Sequence, residues 1–511
     1  MKKTVQRIPF QILLLLGVSL VANSTLAQVP GVAESIELYQ SNCAVCHGEN
    51  LEGAAQGVPL LGDLRHGDDM AAVSASIRNG YVETGMPTWR DTLPEATIRN
   101  ISLFILESRD NIDYVTFNYD TPLEIPDEVI SSELHNFRLE TVVANLDQQP
   151  FSIAPMPDGS ILLTEKMLGL SIISPEGIQS SLISGTPEVF DDTFKPVFEQ
   201  EWGLGWLFDV IPHPNYEENG WIYLYYTERC TDCNTLSREQ NTPVSLNKLV
   251  RGRIDEGAWV DMEVIWEADK EFYGAGTDVA AGGRVTFDDT GHVFFSLGAK
   301  GSAVFQGIQD LATPYGKIHR INDDGSIPED NPGYGQDGIY PSMWTWGHRS
   351  PQGLEFDTRT GQLWGTEHGP RGGDEVNLLL PGLNYGWPLT SKGMNYDGTP
   401  VNYGPQLGIA FELADIQQPV VDLTPSPAVS SFIVSRSEQF PEWDNDFLVG
   451  SLKARSLFRV EMDSNNRMVQ RETLFAGLAR IRDVEQDNNG NIFLLLEHNS
   501  GSRIVRLVPD D

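Results

Sequence analysis

The chain has 511 residues, with 35 basic against 72 acidic side chains and a formal net charge of -37 at pH 7. Such a charge argues against nucleic acids and anionic membrane surfaces as partners, because both repel it. Hydrophobic residues make up 40% of the chain, an ordinary share for a globular protein, and the length allows a small domain followed by a large one.

Residues 1–27 have the pattern of a secretory signal peptide: three basic residues, an apolar stretch over 8–22, and small residues up to Ala27. Cleavage removes three basic and no acidic side chains, which takes the net charge to -40. An uncleaved N-terminal anchor is the alternative. No later segment is apolar for long enough to cross a bilayer, so we expect a periplasmic or secreted protein that is not integral to the membrane after cleavage.

The run Cys43-Ala44-Val45-Cys46-His47 follows this segment. Two thiols three positions apart can form thioether bonds to one porphyrin, and the next histidine supplies an imidazole to the iron. The run therefore predicts covalent haem c, attached at Cys43 and Cys46, with His47 as one iron ligand.

The opposite face of the iron needs a second ligand from a later loop. Met86 is the predicted ligand, because Gly85 and Pro87 place it in a turn from which its sulfur can project. Met70 is the rival, but it starts a helix-like stretch, and His66 is expected at the surface. His/Met ligation raises the reduction potential and favours electron acceptance.

Residues 28–108 predict a small all-α domain, with helical spacing of apolar residues over 33–40, 71–79 and 95–107. Its size and haem run resemble class I c-type cytochromes. Residues 109–132 are polar and contain two prolines, which predicts a linker, and residues 133–511 form the large domain.

The large domain contains a recurring pattern, a Gly, Asp or Asn turn followed by a short apolar strand. The copies are at 157–163, 219–224, 290–295, 360–364, 444–449 and 489–494. Six copies predict an all-β six-bladed β-propeller in which each copy is an inner strand beside the central channel. A large β-sandwich with similar turns is the alternative.

Cys230 and Cys233 lack a following histidine, so a second haem is not expected. Outside the cytoplasm, a local disulfide is the favoured interpretation. A redox-active or metal-binding pair is the alternative.

Several runs of the large domain resemble the soluble quinoprotein sugar dehydrogenases of the glucose/sorbosone dehydrogenase family. These runs span about 147–508 in family order and are residues 347–354, 367–377, 384–388, 450–453 and 480–484. The family fold is a six-bladed propeller. The resemblance implies pyrroloquinoline quinone (PQQ) and Ca²⁺ as cofactors.

The resemblance implies that Arg349, Lys453, Arg480 and Arg482 contact the PQQ. A planar tricarboxylate needs fixed cations, since arginine forks suit carboxylates and a lysine can polarise a quinone oxygen. For Arg480 and Arg482, pairing with surface acids is the alternative.

The resemblance also implies two calcium sites. The carbonyls of Gly369 and Pro370 match positions that hold the quinone-bound Ca²⁺, and oxygen ligands from a glycine-rich turn suit a hard ion. Glu375, with the Tyr385 carbonyl, matches a second, structural site. Asp374 could join a site or cap the turn, and both roles stay open.

The chain departs from the family pattern where the family has its general base. Ala280 stands at the histidine position, Ala299 at that of a supporting aspartate, and Ser350 at that of an asparagine. Asp278 is the predicted replacement base, because it lies two positions from Ala280 and hence on the same strand face. The alternative is an exposed turn carboxylate. Arg349 is the other predicted catalytic residue.

We therefore predict a quinohaemoprotein that oxidises a sugar or related alcohol with PQQ. Electrons would pass to its own haem and then to an external acceptor, a cytochrome or the respiratory chain. A propeller that binds carbohydrate without catalysis, with an electron-transfer cytochrome, is the alternative. A calcium-dependent lactone hydrolase is less favoured because it would not need the cations.

Overall fold

The computed structural model describes residues 32–110, 121–191, 203–300 and 307–510. The predicted signal peptide lies outside the described residues, as does the middle of the predicted linker. Within the described ranges, no helix is both long and apolar enough to cross a bilayer.

The N-terminal domain is helical. Its helices are α1 (Val32–Asn42), α2 (Ala44–His47), α3 (Met70–Asn79) and α4 (Glu95–Arg109). The three predicted helical segments are confirmed, and α3 begins where the Asp69 carboxylate accepts a hydrogen bond from the Ala72 amide at 2.7 Å. Apolar side chains of α1, α3 and α4 pack into one core, among them Tyr39, Ile77 and Ile101.

The described part of the large domain contains 24 strands, numbered in chain order. They are β1 (Ile130–Ser131), β2 (Asn136–Leu146), β3 (Pro150–Pro155), β4 (Ile161–Glu165), β5 (Gly169–Ile173), β6 (Leu207–Pro212), β7 (Ile222–Cys230), β8 (Val244–Asp255), β9 (Ala258–Glu267), β10 (Gly282–Phe287), β11 (His292–Leu297), β12 (Lys317–Asn322), β13 (Met343–Trp346), β14 (Pro351–Asp357), β15 (Gln362–Glu367), β16 (Glu375–Leu378), β17 (Val421–Asp422), β18 (Val429–Val434), β19 (Phe447–Ser451), β20 (Leu457–Met462), β21 (Met468–Phe475), β22 (Arg480–Gln486), β23 (Ile492–Glu497) and β24 (Ser502–Pro509).

These strands form six antiparallel sheets, so the predicted six-bladed propeller is confirmed. The sheets have the orders β3-β4-β5, β6-β7-β8-β9, β10-β11-β12-β13, β14-β15-β16-β17, β18-β19-β20-β21 and β22-β23-β24-β2-β1. The first strand of each sheet contacts the first strand of the next, and β22 contacts β3, so these strands ring the central channel.

The ring is closed by strands from opposite ends of the large domain. Strand β2 pairs antiparallel with β24, with Leu139 opposite Leu507. Both side chains are buried in one apolar cluster. The last blade therefore forms only when the two ends of the domain meet.

The recurring turn pattern marks the second strand of each blade. The copies fall on β4, β7, β11, β15, β19 and β23, each paired with the innermost strand that precedes it. The prediction that each copy is the strand beside the channel was wrong. The turn joins the innermost strand of a blade to the second strand, and the apolar run of each copy belongs to that second strand. Gly159 and Gly291 adopt φ angles of 84° and 92° in these turns, a region that favours glycine.

The channel itself contains buried charge. Arg284 on β10 pairs with Asp483 on β22 at 2.8 Å and with Asp209 on β6 at 3.4 Å. One guanidinium thus links the innermost strands of three blades.

Connections between strands add three short helices, α5 (Tyr216–Asn219), α6 (Thr235–Gln240) and α7 (Gly404–Leu407). Cys230 and Cys233 form a disulfide between the end of β7 and α6, as predicted. Apolar contacts join neighbouring sheets: the rings of Tyr225 and Phe295, on β7 and β11, have centroids 5.6 Å apart.

Shortening a buried side chain of the closing strand β2 should destabilise the whole propeller. We expect Leu139→Ala to lower the free energy of unfolding by about 2–5 kcal/mol, because it removes a buried side chain and leaves a cavity. Leu413, which is 59% exposed, provides the matched control, and Leu413→Ala should change it by less than about 0.5 kcal/mol. Urea unfolding followed by tryptophan fluorescence measures both, and equal shifts would contradict the closure argument.

Candidate functional site

The haem-attachment residues lie at the start of the helical domain. Cys46 and His47 belong to α2, and Cys43 immediately precedes it. His47 Nδ1 lies 2.8 Å from the Val58 carbonyl oxygen. Since a carbonyl only accepts, Nδ1 carries the proton, which leaves Nε2 for an iron ion.

Met86 lies in a short reverse turn. Tyr81 and Met86 exchange two backbone hydrogen bonds, of 2.9 and 3.1 Å, and Gly85 between them has a φ of 97°. Met86 packs against the same core as Cys43. Met70 is the first residue of α3, and the exposed His66 stacks on Tyr81, so neither is held in a comparable turn.

In the propeller, one carboxylate is surrounded by three cations. Glu497 accepts from Arg480 at 2.6 Å and from Arg482 at 2.7 Å, and Lys166 Nζ lies 3.6 Å away. Arg482, 7% exposed, is not part of a surface ion pair. Burial lowers the pKa of Lys166 to about 7, with the charge of Arg482 as the second cause. Sequence analysis missed Lys166, which stands directly after β4.

Arg349 lies beside the predicted calcium-binding turn. Its Nη1 donates to the carbonyls of His368 and Gly369 at 3.2 and 3.0 Å, and its guanidinium stacks 5.3 Å from the Trp387 ring centroid. The structure therefore brings a predicted PQQ contact and a predicted metal carbonyl together.

The turn between β15 and β16 is held by Asp374. Its buried carboxylate accepts from the Gly369 amide at 3.0 Å and from the Val429 amide at 2.9 Å, which favours the capping role left open by the sequence. A Cβ at Gly369 would clash with the Gly373 carbonyl. Glycine is therefore required for the tight return of the backbone at this position.

Two carboxylates face the same cavity. Glu367 and Glu375 line it together with Arg349, His368 and Tyr385. Burial, and secondly Glu367, raise the pKa of Glu375 to about 8, so a cation bound there would relieve the repulsion. The described residues contain no group of three or more His, Cys, Asp or Glu side chains able to hold a metal ion. A calcium ion would thus depend on backbone carbonyls, including those of Pro370 and Tyr385.

His368 is a cavity residue to which sequence analysis gave no role. Its Nε2 lies 2.5 Å from the Val429 carbonyl oxygen and must therefore donate, which leaves Nδ1 as an acceptor. Burial lowers its pKa, with Arg349 and Arg482 contributing, so the ring is neutral at pH 7. Its position within the run that carries the resemblance was the available signal.

Asp278 lies in a 3-10 turn, Asp278–Ala280, so the prediction that it shares a strand face with Ala280 was wrong. It is fully buried and pairs with the Lys300 ammonium at 2.9 Å. Its two oxygens also accept from Ser245, Thr227 and the Gly205 amide. The carboxylate is neither an exposed turn residue nor open to a substrate in this arrangement.

Lys453 is contacted from the other domain. Its ammonium pairs with the Glu107 carboxylate at the end of α4, and both side chains are buried. Arg371, in the predicted calcium-binding turn, lies 3.9 Å from the same carboxylate. The helical domain therefore contributes a charged residue to the region of the predicted quinone contacts.

Comparison with known proteins supports both halves of this arrangement. Residues 147–506 match the family described as glucose/sorbosone dehydrogenase, and residues 32–105 match the family described as cytochrome c oxidase, cbb3-type, subunit III. The resemblance predicted from the motifs is thereby confirmed.

Individual relatives match the propeller over most of their length. Aldose sugar dehydrogenase YliI of Escherichia coli strain K12 is 30% identical over 372 residues, which cover 73% of this chain and 92% of the relative. Quinoprotein glucose dehydrogenase B of Acinetobacter calcoaceticus is 27% identical over 448 residues, with 75% and 90% coverage. The crystal structure of the Escherichia coli soluble aldose sugar dehydrogenase in its apo form superposes with a TM-score of 0.61 and 28% identity, over 73% of this chain and 100% of that chain.

Substitution of Met86 should remove the second iron ligand. We expect Met86→Ala to abolish the absorption signature of His/Met-ligated ferric haem and to lower the reduction potential, because the thioether favours ferrous iron. Met70→Ala is the matched control and should leave both unchanged. Absorption spectra and a redox titration of the full-length protein measure the effect, and a loss confined to Met70→Ala would identify the rival as the ligand.

Asp278→Asn should act mainly on stability. It leaves the buried Lys300 ammonium without its carboxylate, which we expect to cost about 3–5 kcal/mol in urea unfolding. The double variant Asp278→Asn/Lys300→Met removes both charges and should recover most of the loss.

Turnover of that double variant separates the two roles. If Asp278 only balances the charge of Lys300, the double variant keeps the turnover of the wild type. A turnover reduced by about 10²–10⁴-fold at normal stability would restore Asp278 as the base.

Proposed function

The chain belongs to the glucose/sorbosone dehydrogenase family, and we propose that it is a periplasmic or secreted quinohaemoprotein dehydrogenase. Its propeller would oxidise a sugar or related alcohol with PQQ. The electrons would then pass to the haem of its own cytochrome domain, and from there to an external acceptor.

The basic side chains gathered around Glu497 carry this proposal. Arg480, Arg482 and Lys166 all lie within 3.6 Å of its carboxylate. PQQ is a tricarboxylate, and guanidinium groups suit the binding of carboxylates. The Acinetobacter calcoaceticus relative is named a quinoprotein, which agrees with such a ligand.

The basic side chains of the site would have different roles toward the ligand. Arg480 and Arg482 would bind carboxylates, and Lys453 would donate to a quinone oxygen. Arg349, whose guanidinium lies over the Trp387 ring, would orient the ligand beside the turn. When bound, PQQ supplies the two-electron acceptor for the substrate carbon.

Hard oxygen donors for calcium lie at the cavity beside Arg349. We propose two calcium sites: the carbonyls of Gly369 and Pro370 would hold a quinone-bound ion, and Glu375 with the Tyr385 carbonyl would hold a structural ion. Burial, and secondly Glu367, raise the pKa of Glu375 to about 8, and a cation at the second site would relieve the repulsion between these two carboxylates.

The tethered cytochrome makes the electron relay intramolecular. Linking donor and acceptor raises the effective concentration of the haem at the propeller, because the second encounter no longer depends on diffusion from bulk solution. The Escherichia coli relative is covered to 92% of its length, and the apo-form crystal structure to 100%, by matches that take in 73% of this chain.

One observation favours a second candidate, a propeller that binds its ligand without oxidising it. Ala280 stands where the family has its base, and Asp278 is engaged by Lys300. His368 has an acceptor nitrogen at the cavity, so it is the residue to substitute. Turnover by the wild type that is lost in His368→Ala would favour the dehydrogenase. Absence of turnover in the wild type itself would favour the binding protein.

Titration of the mature full-length protein with PQQ, with and without Ca²⁺, tests the proposal. We expect Ca²⁺-dependent binding, and Arg482→Met should weaken it by at least about tenfold because it removes a buried charge-assisted donor. Arg467, 74% exposed on its side chain, provides the control Arg467→Met, which should bind normally.

The same samples then report on chemistry. Sugars and related alcohols added to the PQQ-loaded protein should reduce the haem, seen as growth of the ferrous absorption bands. Absence of PQQ binding would refute the quinoprotein assignment, whereas binding without haem reduction by any sugar would favour the non-catalytic candidate.

A further inference from the structure

Helix α4 has two buried faces. Ile98, Ile101 and Ile105 pack into the core of the helical domain, as expected for an amphipathic helix. Asn100, Leu103 and Glu107 are also buried, but they lie on another face. This second face follows the helical repeat and is covered by the propeller.

The N-terminal half of this face contacts a turn of the large domain. Arg99 Nε donates to the Gly398 carbonyl at 3.1 Å. A Cβ built at Gly398 would lie 2.6 Å from the Ala96 carbonyl oxygen. The two backbones therefore approach as closely as glycine permits.

The middle of the helix contacts the turn that carries the predicted calcium carbonyls. The Asn100 side-chain oxygen accepts from Arg371, which follows Pro370 directly. A Cβ at Gly372 would lie 3.8 Å from Leu103 Cδ1. The haem-domain helix thus packs directly against this turn, the segment between β15 and β16 that is called the cofactor turn below.

Glu107 joins this turn to a second blade. Its carboxylate pairs with Lys453 and lies 3.9 Å from Arg371. Beyond the helix, Asp110 lies 3.5 Å from Arg471. The family match begins at residue 147, so Glu107 lies outside the part of the chain shared with the sugar dehydrogenases.

We propose that Glu107 is a positioning residue through which the cytochrome domain docks on the propeller's cofactor turn, so that docking and ligand binding stabilise each other. The identity of the ligand rests on the proposed function. Glu107 holds the Lys453 side chain and lies near Arg371 of the cofactor turn, and a ligand that orders Lys453 and this turn lowers the cost of docking. The coupling is reciprocal by thermodynamic necessity.

Coupling of this kind has a functional consequence for electron transfer. The haem domain would be most firmly docked when the propeller contains its cofactor. The acceptor is then in place whenever the propeller holds the cofactor that electrons leave.

Thermal unfolding of the full-length, haem-containing protein tests the docking role without added ligand. Haem absorbance follows the cytochrome domain and calorimetry follows the propeller. We expect Glu107→Gln to lower the haem-domain midpoint by roughly 5 °C or more. The matched control is Glu37→Gln, an exposed carboxylate of the same domain, which should shift it by less than about 1 °C.

A second step adds PQQ and Ca²⁺ to test the coupling. In the wild type both midpoints should rise. In Glu107→Gln the propeller midpoint alone should rise, a ligand response that a purely structural role would not alter. Asn100→Ala, which removes only the contact to Arg371, should give the same pattern with smaller shifts.

Each outcome decides a part of the proposal. If Glu107→Gln melts like Glu37→Gln, the docking role is overturned. If ligand raises the haem-domain midpoint equally in both proteins, the coupling is overturned. If PQQ changes no midpoint in the wild type, the quinone pocket fails and the coupling with it, while the ligand-free step still decides docking.

Discussion

Burial of positive charge is the constraint on which the rest of the site depends. In a chain with 35 basic and 72 acidic side chains, the cations at the propeller site share few carboxylates. Glu497 serves three of them and Glu107 serves two. Each carboxylate lowers the cost of burying its cluster, because a charge taken into the interior without a partner is strongly destabilising. Removal of either acid would therefore leave several cations in the interior without that partner.

Closure of the ring creates this concentration of charge. Lys166 follows β4, whereas Arg480 and Arg482 stand on β22, more than 300 residues later in the chain. They meet because β22 neighbours β3 around the channel, after β2 has joined the last sheet. The stability of the propeller and the cation cluster are therefore linked. A defect in the closing strand would destabilise the propeller and separate the members of the cluster.

The sequence predicted those features that local chemistry determines. The haem run, three helices, six repeating turns and the local disulfide all depend on residues close together in the chain. The repeat was assigned to the wrong strand because a turn and an apolar strand do not reveal which neighbour faces the channel. Asp278 was misjudged because its partner Lys300 comes from a separate loop. The contact of Glu107 with Lys453 depends on the docking of two domains, and no local pattern encodes it.

The pair Asp278–Lys300 also gives physical sense to the departures from the family pattern. With Ala280 and Ala299 in place of the family's histidine and aspartate, the region no longer holds a proton acceptor and its supporting acid. The buried Lys300 ammonium is balanced by Asp278, whose carboxylate also accepts from three further donors. The region therefore holds a structural ion pair. The cavity imidazole of His368 lies outside this ion pair, and its Nδ1 stays available as a hydrogen-bond acceptor.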